Sequence, residues 1–350
     1  MRSYKDILAR IEHNNQRIVD GKLNSIPLPF DRFNKSFKGT APAKYYAVTA
    51  TTHGGKTKFT KFLNVINSYR VFKRYGKDFR LLWFALEESE EEFETSLISC
   101  ILYAKSQGRM IISSSDITAI AELTPAGALE ILRHNEDVAR TYEEIRSKIV
   151  LYDNVYSGPE MYNITRAYMS GMGTFETTTD KLMNETETYT RNPLYDEIDV
   201  KVVVDHISLI HPISGKSHHE TLSHVSSYYF NYLMKKVLKV SIMVVHQQEL
   251  GAAKKVYQRG ELIVELLEPS IPNLGDNKII SRDYDVVFGL FNPAAFELTH
   301  YRGRDITEYC GNAHWLIVLK DRLYGTTGTY VGLEFFGAPG MYKELPPLVE

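Results

Sequence analysis

An apolar run, Tyr45-Tyr46-Ala47-Val48, leads directly into Ala50-Thr51-Thr52-His53-Gly54-Gly55-Lys56-Thr57, and a helix-forming stretch, Lys58 to Tyr69, follows. Strand, glycine turn and helix in that order leave few folds open. A buried strand delivers the chain to a tight turn whose backbone N–H groups, with the N-terminus of the next helix, form a cradle for anionic phosphate. Gly54 and Gly55 allow close backbone approach, Lys56 can reach the β- and γ-phosphates, and Thr57 can offer its hydroxyl to Mg²⁺. The alternative is a glycine turn between an ordinary strand and helix, since Ala50 stands where such loops usually begin with glycine. The later segments decide between these readings.

Lys201-Val202-Val203-Val204-Asp205 has the pattern of a strand buried on both faces of a parallel sheet, ending in a carboxylate that can hold a magnesium ion. The next residue is His206 rather than a second acid, so the base that polarises water must come from elsewhere. Glu87, after the apolar run Leu81 to Leu86, stands at a strand end, where open α/β sheets bind ligands. Glu88 is the second candidate, and both could simply begin the acidic stretch Glu87 to Glu94. Val240 to Val245 ends in His246-Gln247-Gln248, where an amide could sense the γ-phosphate. Leu316 to Leu319 ends in Lys320-Asp321-Arg322, two cations that Asp321 could hold locally or that could point at a neighbour's nucleotide.

This order of motifs resembles the ATPase domain of replicative DNA helicases of the DnaB type, a branch of the RecA-like P-loop NTPase fold. The resemblance rests on Ala50 with the Gly55-Lys56-Thr57 ending, Leu86-Glu87, Asp205 followed by a non-acidic residue, Gln247, Asp283-Tyr284-Asp285, and Lys320 with Arg322. It covers residues 25–345. His246 departs from the family's usual serine and Asp321 from its usual polar residue, and the sequence has no room for the helical N-terminal domain of bacterial members. Compact members of this kind are phage-encoded.

The resemblance implies an ATP- and Mg²⁺-dependent hydrolase that forms a hexameric ring, translocates on single-stranded DNA during replication, and meets a primase or loader. Within it, Glu87 would orient water, Thr57 and Asp205 would hold Mg²⁺, and Lys320 and Arg322 would reach a neighbour's γ-phosphate. A non-motor member of the same fold, a nucleotide-gated DNA-binding, recombination or replication-assembly protein, is the alternative.

The expected architecture is α/β: a mostly parallel, doubly wound sheet with strands near 45–49, 81–86, 148–152, 201–205, 240–245 and 286–291, then antiparallel edge strands near 315–319 and 329–335. A helix over Glu160 to Met172 and an exposed excursion over Glu176 to Leu194 fall within an insertion near 154–198. Residues 1–24 form a separate unit. Tyr4, Ile7, Leu8, Ile11 and Ile18 recur at helical spacing behind a Ser3 cap, which suits either a helix docked on a neighbouring subunit or one folded back on its own domain. Residues 346–350 form a tail.

Lys+Arg 41 against Asp+Glu 43 gives a net charge of -2, unlike a stand-alone nucleic-acid binder. DNA contacts would therefore come from loop cations concentrated by symmetry: Lys216 after Asp205, and Lys254, Lys255 and Arg259 after Gln247. Each could equally be a solvated loop residue. His218-His219 does not make a metal site, because adjacent side chains diverge and no Cys ligand stands at useful spacing. With only Cys100 and Cys310 and no membrane-length apolar run, a reducing, cytoplasmic setting is expected.

Overall fold

A computed structural model describes residues 3–50, 54–118, 131–179, 185–249, 255–258, 261–275 and 277–348. Its centre is a nine-stranded sheet. Six strands run parallel: β1 (Tyr45–Ala50), β2 (Phe79–Ala85), β3 (Ile149–Tyr152), β6 (Asp199–Asp205), β7 (Ser241–Gln247) and β10 (Val286–Phe291). Three more, β13 (Ala313–Asp321), β14 (Tyr330–Phe336) and β15 (Met341–Glu344), extend it antiparallel. The order across the sheet is β15-β14-β13-β10-β1-β7-β6-β2-β3. This is the doubly wound sheet expected, with β15 as an additional edge strand.

The central strands are apolar on both faces because both faces are covered. Tyr46, Val48 and Ala50 of β1, with Leu81 and Trp83 of β2, belong to one core with α2 (Lys56–Lys61), α3 (Ser68–Tyr75), α4 (Glu90–Lys105) and the segment Leu28–Phe37. Tyr45 and Ala47, with Leu82, Phe84, Val202 and Val204, face the opposite layer. That layer contains the helices Gly158–Ser170 and His218–His224, the second continuing through π-helical turns over Val225–Val237. Alternation along each strand thus divides one apolar run between two cores.

The excursion over Glu176 to Leu194 is a correction: most of it belongs to a β-hairpin, β4 (Gly173–Thr179) with β5 (Glu185–Arg191). Phe175 and Tyr189 pair across it and Arg166 reaches Glu187, fastening the ribbon to the preceding helix. Thr-rich alternation of period two favours strand pairing over an irregular loop. Short hairpins β8 (Tyr257–Gln258) with β9 (Glu261–Leu262), and β11 (His300–Tyr301) with β12 (Arg304–Asp305), decorate the surface.

Helix α1 (Tyr4–Val19) begins at a Ser3–Asp6 capping box, as its sequence predicts. Arg17 tethers its last turn to Glu197 and Asn24. Tyr4, Ile7, Leu8, Ile11 and Ile18 remain exposed, so the stripe is not folded back onto the domain. No helix among the described residues is long and apolar enough to cross a membrane.

Candidate nucleotide site

The parallel strands end along one side of the sheet, and the residues singled out by sequence converge there. Ala50 closes β1, fully buried; Thr51, Thr52 and His53 lie outside the described residues. Gly55 has φ +79° and caps α2, and a side chain there would come within 2.7 Å of the Tyr342 hydroxyl. Glycine is therefore needed at this position on two grounds. Lys56 follows at the first turn of α2, its ammonium lowered from the usual lysine range by burial while Glu87 and Asp205 pull it back up.

One cavity of about 400 Å³ is lined by Gly54, Gly55, Lys56, Thr57, Lys58, Glu87, Gln247 and Phe335. The phosphate loop, the proposed base and the proposed sensor therefore share one opening. Glu87 lies on the loop between β2 and α4, outside the acidic helix, which begins at Glu90 behind a Ser89 cap. Its carboxylate is half exposed to this opening, whereas Glu88 is tied to the buried Lys61 ammonium at 3.0 Å. That ion pair removes Glu88 from contention and leaves Glu87 available.

Asp205 lies behind this group at the end of β6. Burial pushes its carboxyl up to about 7; the neighbouring Thr57 hydroxyl and Lys61 oppose the rise, and Glu88 and Glu87 add to it. Both carboxylate oxygens are buried without a hydrogen-bond partner among the described residues. Such a group is costly unless a cation completes it. An oxygen-only pair, Asp205 with Thr57, is the donor chemistry that suits Mg²⁺. The Asp205–His206 peptide bond is cis.

His246 is part of the core: it is fully buried, its Nε2–H donates to Gly275 O at 2.8 Å, and its Nδ1 accepts from the Tyr284 hydroxyl at 3.0 Å. Asp283 and Asp285 are likewise structural. Asp283 accepts from Ser226 Oγ, while Asp285 accepts from Tyr45 N–H and Lys235 at the start of β10.

Lys320 and Arg322 lie at the other end of the sheet. Because β13 runs antiparallel, Asp321 is level with Val286, hence with Tyr46, whereas Ala50 is level with Leu290. The four residues from Tyr46 to Ala50 span about 13 Å at ~3.3 Å per residue. Neither cation can serve its own loop. Asp321 does not hold them: its carboxylate accepts from the amides of Leu323, Tyr324 and Thr326 and from the Thr326 hydroxyl. Arg322 is exposed, while Lys320 donates to Ser281 O at 2.5 Å and is lowered to about 8, by burial first and by Arg322 second.

Of the loop cations, Lys216 is exposed, Lys255 is paired with Glu297, and Lys254 and Arg259 lie outside the described residues. Sequence reasoning missed Phe335 and Tyr342. They stack with centroids 4.6 Å apart, and Tyr342 donates to Gly55 O at 3.1 Å. Nothing local marks them, since β14 and β15 reach the loop only through the antiparallel extension of the sheet. A larger groove, about 520 Å³, lined by Tyr69, Ile101, Tyr103 and Phe336 among others, contains none of the residues proposed for the chemistry.

No protein-family model matches the sequence, and no curated protein does. Solved structures do. The ATPase domain of a phage helicase superposes with a TM-score of 0.68 at 16% identity, covering 99% of this chain and 100% of the other. This is the fold of a DnaB-type ATPase domain. A DnaB-like replicative helicase, described with its interactions with primase, matches with a TM-score of 0.64 at 16% identity over 99% of this chain and 68% of its own. At this identity the likeness to the DnaB-type domain establishes the RecA-like architecture, not its chemistry.

Proposed function

We propose that this chain is an ATP-driven, ring-forming translocase that acts on single-stranded DNA and separates duplex during replication. One observation carries the reading. Gly54 to Thr57, Glu87 and Gln247 open onto one cavity above Asp205, while Lys320 and Arg322 lie at the far end of the sheet, within reach only of another subunit's cavity. A site built in two halves requires assembly.

In this reading the loop amides and Lys56 bind the phosphates, and the Phe335 ring offers a face to the base. Thr57 and Asp205 hold Mg²⁺, which when bound neutralises charge on the β- and γ-phosphates. Glu87 orients the attacking water, Gln247 contacts the γ-phosphate, and a neighbour's Arg322 stabilises the charge that develops there. The exposed stripe of α1 is the docking surface for the next subunit in a hexamer. Lys216, Lys254, Lys255 and Arg259 from each subunit would line a channel for one DNA strand, with a primase or loader as a further partner.

The pairing of Lys255 with Glu297 favours a second reading, a nucleotide-gated DNA-binding, recombination or replication-assembly protein without processive movement. Hydrolysis with and without single-stranded DNA distinguishes them. For a motor, DNA stimulates ATP turnover; Glu87→Gln lowers it on the order of 10²-fold or more, and Arg322→Ala on the order of 10³-fold. Wild-type and Arg322→Ala subunits, mixed, should give less activity than simple dilution predicts. Basal turnover indifferent to DNA and to Arg322 would support the second reading.

A further inference from the structure

β6 lies between β7 and β2, the strands that carry Gln247 and lead to Glu87. At the end of this middle strand stands His206, with 7% of its side chain exposed. Its Nε2 is 3.1 Å from Gln247 Nε2 and 3.9 Å from Glu87 Oε1. A single ring nitrogen therefore faces both residues that enter the cavity from the flanking strands.

The 3.1 Å contact permits two arrangements. Either the amide nitrogen donates to a bare Nε2, or the amide is turned over and its oxygen accepts from Nε2–H, the two being indistinguishable in shape. The Glu87 carboxylate beside the same nitrogen favours Nε2–H, because a bare lone pair would face an anion. The Gln247 oxygen then belongs to His206 and its NH₂ to the cavity. Terminal phosphate oxygens accept hydrogen bonds only, so that orientation is the one able to recognise them.

We propose that His206 is a positioning residue that sets the polarity of the Gln247 amide, turning its donor toward the γ-phosphate, and keeps that amide in register with Glu87. The proposal rests on the ATPase reading. It assigns His206 a role in distinguishing ATP from ADP, since ADP has nothing at the γ-position for Gln247 to contact. It also predicts energetic coupling between His206 and Gln247 across two strands.

The test measures affinities of the full chain for ADP and a non-hydrolysable ATP analogue, together with kcat, for wild type, His206→Phe, His206→Gln, Gln247→Ala and the His206→Phe/Gln247→Ala double variant. His206→Phe should keep ADP affinity within about twofold, lose at least tenfold of the analogue-over-ADP preference, and lose at least tenfold in kcat. His206→Gln, which returns a polar group near the Nε2 position, should recover most of both. The double variant should be no worse than Gln247→Ala, because the two residues act as one unit.

Unchanged preference in His206→Phe, or strictly additive losses in the double variant, would overturn the role. Should His206→Phe not fold, His206→Asn, whose amide is too short to reach Gln247, supplies the same reading. A wild type that binds neither nucleotide would instead overturn the ATPase reading itself.

Discussion

A carboxyl raised to about 7 inside a fully buried site stores instability that can be measured. From its ordinary value of 3.8 this is a rise of about 3 units, or ~4 kcal/mol once Asp205 is ionised in both states. Below about pH 4 the group is protonated in the folded chain and largely so in the unfolded chain, and the penalty vanishes. It grows as pH rises and is complete above about pH 7. Asp205→Asn removes the charge but keeps a buried amide, which costs roughly 1–2 kcal/mol when unpaired. The net gain at pH 8 is then about 2–3 kcal/mol, which for 350 residues corresponds to roughly 3–4 °C in Tm. At pH 5 only about 1.6 kcal/mol of the penalty has developed, so the gain should be near zero.

The assay is thermal unfolding of both proteins in chelator at pH 5 and pH 8, then with Mg²⁺ and ATP. Wild type should melt below Asp205→Asn at pH 8 without ligand, and the order should reverse with Mg²⁺ and ATP, which only the carboxylate can exploit. Equal melting temperatures at pH 8, or a difference independent of pH, would refute the claim that Asp205 is held ionised at a cost for the sake of a cation. Stability given up at a binding residue is the usual sign of function.

Gly55→Ala should lose nucleotide affinity in a calorimetric titration by tenfold or more and cost about 1–2 kcal/mol of stability, because φ +79° is strained for alanine and its Cβ would meet the Tyr342 hydroxyl. His314, 2% exposed against Phe335, has its pKa lowered by burial from 6.5 to about 4. Its contribution is intact above pH 6.5 and is lost, by ~3 kcal/mol, as pH falls toward 4, so His314→Phe should flatten the acid limb of the stability curve measured by urea melts. Ile7→Glu combined with Ile11→Glu should leave the circular dichroism spectrum unchanged and lower the assembled mass in sedimentation; unchanged assembly would remove α1 from the interface.

The parts of the site legible in the sequence share a cause. In a parallel sheet, every strand that ends in a polar residue delivers it to the same side, so Gly54 to Thr57, Glu87, Asp205 and Gln247 could be gathered from strand ends alone. The choice of Glu87 over Glu88 needed the Lys61 ion pair, which spans residues 27 apart and leaves no periodic trace. Phe335, Tyr342 and the His206–Gln247 contact were beyond reach because they depend on which strands are neighbours, and sequence order does not reveal that β6 lies between β2 and β7. The β4–β5 ribbon was missed although Phe175 and Tyr189 alternate with threonines, since polar strands lack the apolar runs by which the others were found.

Strand direction is what turns this architecture toward a shared site. Had β13 run parallel to β10, Lys320 and Arg322 would have emerged beside their own phosphate loop, and one subunit could have carried every group that the reaction asks for. Antiparallel pairing of Val286 with Asp321 sends them instead to the opposite end, about 13 Å from the level of Ala50 at ~3.3 Å per residue. Asp321, which could have neutralised them, is occupied by its own turn, so the exposed Arg322 keeps its charge for another surface. An arginine set apart from its own nucleotide cavity, and a cavity whose described lining holds no arginine, are complementary halves. Repeating that relation from subunit to subunit by rotation closes a ring, in which hydrolysis at each interface depends on how two neighbours are oriented. The same geometry explains why a single chain should be a poor catalyst.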